Sequence, residues 1–230
     1  MKKKKIFIQI ASYRDAQLLP TLKDCIEKAK FPENLVFSIA WQHSPDDKWD
    51  DLSEYKDDER FKIIDIPYQE AQGVCWARHK LQQNYDGEEY TLQLDSHHRF
   101  AQNWDTELIK MYKSLQRKGH KKPLITGYIP SFEPISDPNG RINVPWRMNF
   151  DRFSPEGVVH FLPASIDEFK TLKSPEPGRF YSGHFAFTTG KFVKEVPHDP
   201  NYYFHGEEIS ISVRAYTWGY DLFHPHKVFI

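Results

Sequence analysis

The feature that most constrains the fold is an alternation of two periodicities over the first half of the chain. Ile6–Ile10, Leu35–Trp41, Phe61–Ile66 and Tyr90–Leu94 are short β-branched and aromatic runs that suit buried strands. Between them, apolar residues recur at helical spacing. Leu18, Leu22, Cys25 and Ala29 form one stripe, with Pro20 tolerable only in a first turn and Pro32 marking the stop. Val74, Ala77, Arg78, Leu81 and Tyr85 form a second, from Gly73 to Asn84. Asn103 stands as an N-cap for a third helix through Trp104, Leu108, Met111, Tyr112 and Leu115, ending at Gly119. This strand–helix alternation predicts an α/β fold, a mainly parallel central sheet with helices on both faces. Such sheets bind ligands at the carboxyl ends of their strands. The predicted loop Ala11–Asp15 and the strand end at Asp95 both fall there.

After Leu124 the pattern changes. Leu124–Ile129 reads as one more strand. Then comes a loop-rich stretch with eight prolines between 130 and 178. Few ladder hydrogen bonds are expected in it, so it is predicted to be the most mobile part of the chain. Phe180–Phe187 returns to strand. A last helix opens near Gly206 and runs to Gly219, with Ile209, Val213 and Tyr216 expected on its buried face. With no internal repeat and no linker, residues 1–230 are expected to form one domain.

The charge balance, 31 basic against 32 acidic residues, gives no reason to expect nucleic acid or an anionic membrane as partner. The basic start at Lys2–Lys5 is followed by too short an apolar run for a secretory core, and no run approaches a membrane span. Two cysteines, Cys25 and Cys75, are too few for a disulfide framework or a cysteine zinc site. A reducing, cytoplasmic setting is the expectation.

The chemistry concentrates in a few places. In Leu92-Gln93-Leu94-Asp95-Ser96-His97, Asp95 and His97 fall on one side of a strand end, where an oxygen and an imidazole nitrogen together can hold a divalent metal. The plainer alternative makes Asp95 a helix cap and His97 a surface residue. Arg78 lies on the inward stripe of its helix and needs an anion, supplied by a ligand, by Asp95 or by a salt bridge at the helix edge. Glu207 and Glu208 head a helix, where the dipole favours carboxylates whether or not they do chemistry. The 11 histidines show no His-Glu-x-x-His spacing, which argues against a metal-dependent hydrolase.

Four blocks together resemble the polypeptide N-acetylglucosaminyltransferases that modify hydroxyproline or hydroxyl side chains. They are Ile8–Asp15, Gly73–Arg78, Leu92–His97 and Phe204–Ser210, in the family's order and spanning nearly the whole chain. A more distant resemblance, through His205-Gly206-Glu207-Glu208, is to the polypeptide N-acetylgalactosaminyltransferases. The resemblance implies a GT-A fold, a UDP-sugar donor, a divalent metal (usually manganese) and retention of anomeric configuration. It implies that residues 1–120 hold the nucleotide and 121–230 the acceptor side. Ala11, Ser12, Tyr13 and Arg14 then match the uridine-holding loop, with Tyr13 stacking and Arg14 pairing an acid or a phosphate. Arg78, Asp95, Ser96, Gly183 and His184 match positions around the donor, and Asp95 with His97 the metal motif. Glu207 and Glu208 meet the donor sugar or the acceptor hydroxyl. In related enzymes a third metal ligand is a histidine beyond the Asp221–His226 segment. Either His224 or His226 takes that role, or the ligand lies past Ile230. The acceptor, polypeptide or glycan, is expected to meet the 130–178 segment at Trp146, Arg147, Phe150, Phe153 and Phe161. A UDP-sugar-binding module without chemistry is the alternative reading.

Overall fold

A computed structural model of the chain describes residues 4–138, 140 and 142–230. Met1–Lys3, the head of the basic start, lie outside the described residues, as do Asn139 and Arg141 of the proline-rich segment. The expected alternation is present as β1 (Ile6–Tyr13), α1 (Leu18–Lys28), β2 (Leu35–His43), β3 (Phe61–Pro67), α2 (Val74–Gln82), β4 (Tyr90–Asp95) and α3 (Trp104–Arg117). Then follow β5 (Pro123–Thr126), β6 (Trp146–Phe153), β7 (Val159–Ser165), β8 (Glu176–Pro177), β9 (Phe185–Thr189), α4 (Phe192–Glu195), α5 (Glu207–Thr217) and β10 (Asp221–His224).

Eight strands form one sheet in the order β3-β2-β1-β4-β9-β5-β10-β8. The first four are parallel, β9 inserts antiparallel between β4 and β5, and β10 runs parallel to β5. Alternate strand residues serve two cores. Ile8, Phe37, Leu92 and Phe187 pack with Leu22 of α1 and Trp104 and Leu108 of α3. Ala40 and Ile66 meet Ala77 and Leu81 of α2, while Leu124, Ala186 and Leu222 meet Ile211 and Ala215 of α5. Helices therefore cover both faces, as the periodicity requires. No helix among the described residues is long and apolar enough to cross a membrane.

Five expectations are corrected. Ala11–Tyr13 are not a loop: β1 continues through them, paired to Ala40–Gln42 of β2. Asn103 precedes α3 but its side chain caps nothing. It sits at φ 59, and its carbonyl takes the Glu107 N–H instead. The strand after Gly183 begins at Phe185, and Phe180 lies outside it. On α5 the buried face is Glu207, Ile211, Ser212 and Ala215, whereas Val213 and Tyr216 are exposed, because Ile211 and Ala215 are the residues that pack against Leu124, Ala186 and Leu222 of the sheet. Finally, the segment 130–178 is not simply loop. Its β6 and β7 pair antiparallel from Trp146↔Ser165 to Phe153↔Val159, with a bulge between Phe150 and Arg152. Prolines do not prevent this ribbon, because a two-stranded ladder leaves each strand an outer edge where a missing N–H costs nothing.

Candidate functional site

Arg78 is the hub of a pocket at the carboxyl ends of β1 and β4. Its place on the inward face of α2 buries it almost fully, and its two terminal nitrogens reach different parts of the chain. Nη2 donates to Asp95 Oδ1 at 2.7 Å and Nη1 to Glu207 Oε1 at 2.5 Å. Burial alone would weaken the cation, but Glu207 and Asp95 more than offset that and hold its pKa above the ordinary value. The anion that Arg78 requires is thus a pair of protein carboxylates.

Gly183, two residues before β9, makes this junction possible. A Cβ there would stand 2.7 Å from Glu207 Oε1 and 2.8 Å from Arg78 Nη1, so any side chain would displace the pair. Its carbonyl accepts from Gln93 Nε2 at 2.6 Å and its N–H donates to Glu208 Oε1 at 2.8 Å. Glu207 and Glu208 are adjacent at the head of α5, yet their surroundings pull them apart. Burial raises both. Arg78, His198 and Cys75 reverse this for Glu207, which falls to about 2. Glu208 has only the Gly183 N–H strongly in its favour and is pushed up to about 7. One is therefore held ionised, and the other can exchange a proton near neutrality.

Asp95 is partly buried. Burial pushes its carboxyl up, but Arg78, then His184, His98 and His97 bring it below the usual range. Its second oxygen, Oδ2, lies 3.9 Å from His97 Nε2. His97 is oriented from behind: Nδ1 meets Asp15 Oδ2 at 2.7 Å, which raises the imidazole pKa. The same Asp15 oxygen accepts from Ser96 Oγ at 2.6 Å, and these bonds hold Asp15 at about 2 against the opposing effect of burial. A carboxylate behind an imidazole, with the far nitrogen turned to a second carboxylate, is an arrangement that suits a divalent ion. Ser96 serves through Asp15 and does not line the pocket.

His184 lines this pocket and a neighbouring hollow with Asp95, His97, His98 and Ile230. It accepts the Ile129 N–H at Nε2 and meets Ser182 Oγ at Nδ1, its ring stacks on Tyr128, and burial lowers it to about 4. It is neutral at physiological pH. His224 and His226 are not brought to Asp95 and His97. Strand β10 fixes His224, whose Nδ1 is 2.9 Å from Thr126 O and whose ring fills the space left by Gly127 and Gly178. His226 is buried and lines neither hollow.

A further hollow shares Val74 and Phe204 with the first. Ala11 and Tyr13 line it with Gln42, Tyr68, Gly73 and Tyr203. Ser12, on the opposite face of β1 by the alternation of a strand, is fully buried and does not. Arg14 is also engaged elsewhere. Its guanidinium grips Asp47 with two bonds of 2.7 and 2.8 Å and lies over the Tyr68 ring. Gly73, at φ 99, lets Val74 N–H reach Tyr203 O, which closes the hollow from the second half of the chain. Sequence reasoning did not single out Tyr68, Tyr203, Gln93, Asp15 or His198. Gln93 carried a signal, a polar residue two before Asp95 on the same side of an otherwise apolar strand.

A model of the family described as Glycosyltransferase (GlcNAc) matches residues 5–56 and 49–230. No curated protein sequence matches the chain. Among solved structures, GalNAc-T7 with UDP, GalNAc and Mn2+ is similar over 97% of this chain and 42% of that one, at 16% identity and a TM-score of 0.69. S. aureus TarS 1-349 in complex with UDP-GlcNAc is similar over 98% of this chain and 57% of that one, at 11% identity and a TM-score of 0.58. TarS 1-349 without that ligand gives 12% identity, 98% and 59% coverage and the same TM-score. The chain thus spans about half the length of these solved relatives, and at such identity the likeness establishes the GT-A fold alone.

Proposed function

Since the chain belongs to the glycosyltransferase (GlcNAc) family, we propose that it moves N-acetylglucosamine from UDP-GlcNAc to a hydroxyl of a polypeptide or glycan, with retention of configuration. The observation that carries this reading is the Arg78 junction, which joins Asp95, Gly183, Glu207 and, through Gly183, Glu208 around one pocket. The proposal also assigns residues 1–120 to the nucleotide and 121–230 to the acceptor side.

Uracil fits the hollow of Ala11, Tyr13, Tyr68 and Tyr203, where aromatic faces are available for stacking. The sugar then occupies the pocket by Gly183, His184, Glu207 and Glu208. Asp95 Oδ2 and His97 Nε2 would hold the divalent metal, since a carboxylate and an imidazole suit manganese. When bound, that ion supplies charge neutralisation for the diphosphate. Arg78 keeps Asp95 and Glu207 ionised and in place. Glu207 positions the sugar as an acceptor of its hydroxyl hydrogens. The acceptor oxygen bonds to the anomeric carbon on the face from which the diphosphate departs, and Glu208 can take up the hydroxyl proton. Orientation is the main contribution of the protein, as in other transfers with a loose transition state.

Calorimetry of UDP with and without manganese tests the donor side. Asp95→Ala is expected to abolish the manganese-dependent part of binding while circular dichroism stays unchanged. Equal affinity in variant and parent would refute the metal assignment. Mass spectrometry of a lysate treated with labelled UDP-GlcNAc tests transfer. UDP binding without any labelled product would support a binding module instead.

A further inference from the structure

Glu207 uses one oxygen on Arg78, and its other oxygen faces a second group of donors. Cys75 Sγ lies 3.0 Å from Glu207 Oε2 and His198 Nδ1 lies 3.4 Å from it. The three ligand atoms are all within 4.8 Å of one another, and all three residues are buried. They come from α2, from the loop after α4 and from the head of α5.

Hydrogen bonding settles the tautomer of His198. Gln93 Nε2 donates to the Gly183 carbonyl, so the amide oxygen is the atom that meets His198 Nε2 at 2.6 Å. An amide oxygen only accepts, so His198 Nε2 carries the hydrogen. Burial keeps the ring neutral, which leaves Nδ1 as a bare lone pair. That nitrogen has no hydrogen-bond partner, and it faces a carboxylate oxygen and a sulfur. The Cys75 thiol proton goes to Glu207 Oε2, which leaves Nδ1 without a donor, and burial with Glu207 nearby makes the thiol hard to ionise unaided. A buried nitrogen lone pair directed at a carboxylate is costly unless a cation lies between them.

We propose that Cys75 Sγ, His198 Nδ1 and Glu207 Oε2 bind a soft divalent cation of the zinc class, at a site distinct from Asp95 and His97. A thiolate, an imidazole and a carboxylate form a donor set that zinc favours and that manganese or magnesium does not. Metal–ligand bonds of roughly 2.0–2.3 Å in a tetrahedral arrangement place ligand atoms roughly 3.3–3.6 Å apart. The His198–Glu207 distance of 3.4 Å already meets this, and Cys75 Sγ, at 3.0 Å from Glu207 Oε2, would move out by about half an ångström as its proton leaves. Binding releases the thiol proton to solvent as the metal–sulfur bond forms. Charge balance favours the exchange. Arg78 against Asp95 and Glu207 leaves one negative charge in excess, and a divalent ion that displaces one proton cancels it. The ion would also fix Glu207 from the side opposite its Arg78 contact. The proposal does not depend on the transferase reading, because metal content is measured without turnover.

The test uses the whole chain, grown with zinc, desalted and analysed by plasma mass spectrometry. Stoichiometric zinc is expected in the parent and in His97→Ala, with loss to background in Cys75→Ala and His198→Gln. Because these variants can fail to fold, cobalt is also titrated into zinc-free parent protein. A sulfur-to-cobalt charge-transfer band in the near ultraviolet is expected. A parent with neither zinc nor that band under excess cobalt overturns the proposal. So does zinc retained by Cys75→Ala, or zinc lost in His97→Ala.

Discussion

The parallel half of the sheet, β3-β2-β1-β4, and the β6–β7 ribbon are both β structure, but different forces hold them. In the first, nearly every side chain of β2 is buried and both faces are covered by helices. In the second, Phe150, Phe153 and Leu162 are each about half exposed or more, at 48%, 63% and 52%. The hydrophobic effect fixes the first, whereas the second rests on backbone pairing and a few ring contacts such as Phe161 with Phe180. The site lies where the two meet. Arg78 and Asp95 come from the half that cannot move without unpacking, and Val159, His160 and Phe161 line the pocket from the half that can. On the proposed reading, the packed side would hold the donor and the more exposed rim would meet the acceptor.

The sharpest way to break this contrast is one truncation in each region. Phe37 is fully buried, stacked on Phe61 between two covered strands. Phe37→Ala is expected to cost about 3–5 kcal/mol of unfolding free energy. Phe150→Ala, by contrast, should stay within about 0.5 kcal/mol. Urea unfolding measures both. Similar losses at the two positions would mean that the ribbon is as much a part of the core as β2.

The junction between the regions comes next. Arg78→Met leaves two carboxylates facing each other without their cation, and a loss of about 3 kcal/mol is expected, near the low end for a broken buried pair because Asp95 is partly exposed. Arg78→Lys should recover little, since one ammonium cannot bridge both acids as the planar fork does. A lysine variant of parental stability would show that charge alone, and not geometry, holds the two halves together.

The third test stays within the rigid half. Asp50 is buried, and burial pushes it up to about 6, which Trp41 and His43 only partly offset. A carboxyl whose folded pKa lies above its ordinary 3.8 favours the fold while protonated. That stabilisation is complete below about pH 4 and is lost as pH rises through about 6. Asp50→Asn should therefore gain about 1–2 kcal/mol at pH 7.5, with solvent screening trimming the full shift, and almost nothing at pH 4. Unfolding curves at the two pH values give the comparison. A gain independent of pH would mean that packing, and not charge, sets the penalty.

The same physical difference explains what could be read from the sequence. Strands β1, β2 and β4 were legible because burial on two faces forces near-continuous apolar runs, β3 by its β-branched residues, and α1 to α3 because their stripes face the sheet. Asp95 and Arg78 were legible too, as polar residues at places where apolar ones are expected. The ribbon was not, because of the residues that alternate with Arg147, Asn149 and Asp151 only Met148 is buried, and the prolines outweighed that weak pattern. On α5 the buried face carries Ile211 together with Glu207, Ser212 and Ala215, so polar and small residues masked it and the apolar stripe pointed to the exposed Val213 and Tyr216. His224 looked free because Phe-His-Pro-His resembles a loop, and only long-range pairing of β10 with β5 shows it to be fixed. Asp15, His198 and Tyr203 act through partners far away in sequence, and nothing local marks them.

The smallest expected effect on stability is also the most informative about acceptors. Phe153 is the most exposed aromatic residue of the ribbon, and its ring meets that of Phe150, with centroids 5.2 Å apart. Replacing both with serine removes an exposed apolar pair and no buried contact. Unfolding free energy should shift by less than about 0.5 kcal/mol, and UDP affinity should be unchanged because neither ring lines the donor hollows. If the ribbon receives the acceptor, the double variant will show a raised KM for acceptor with kcat nearly preserved, because uniform binding is lost and the reacting groups are untouched. An unaltered KM would move the acceptor to the other open side, the hollow between His97 and Phe132. A fall in UDP affinity would instead show that the ribbon closes over the donor, and the proposed division between a packed donor side and a more exposed acceptor rim would fail.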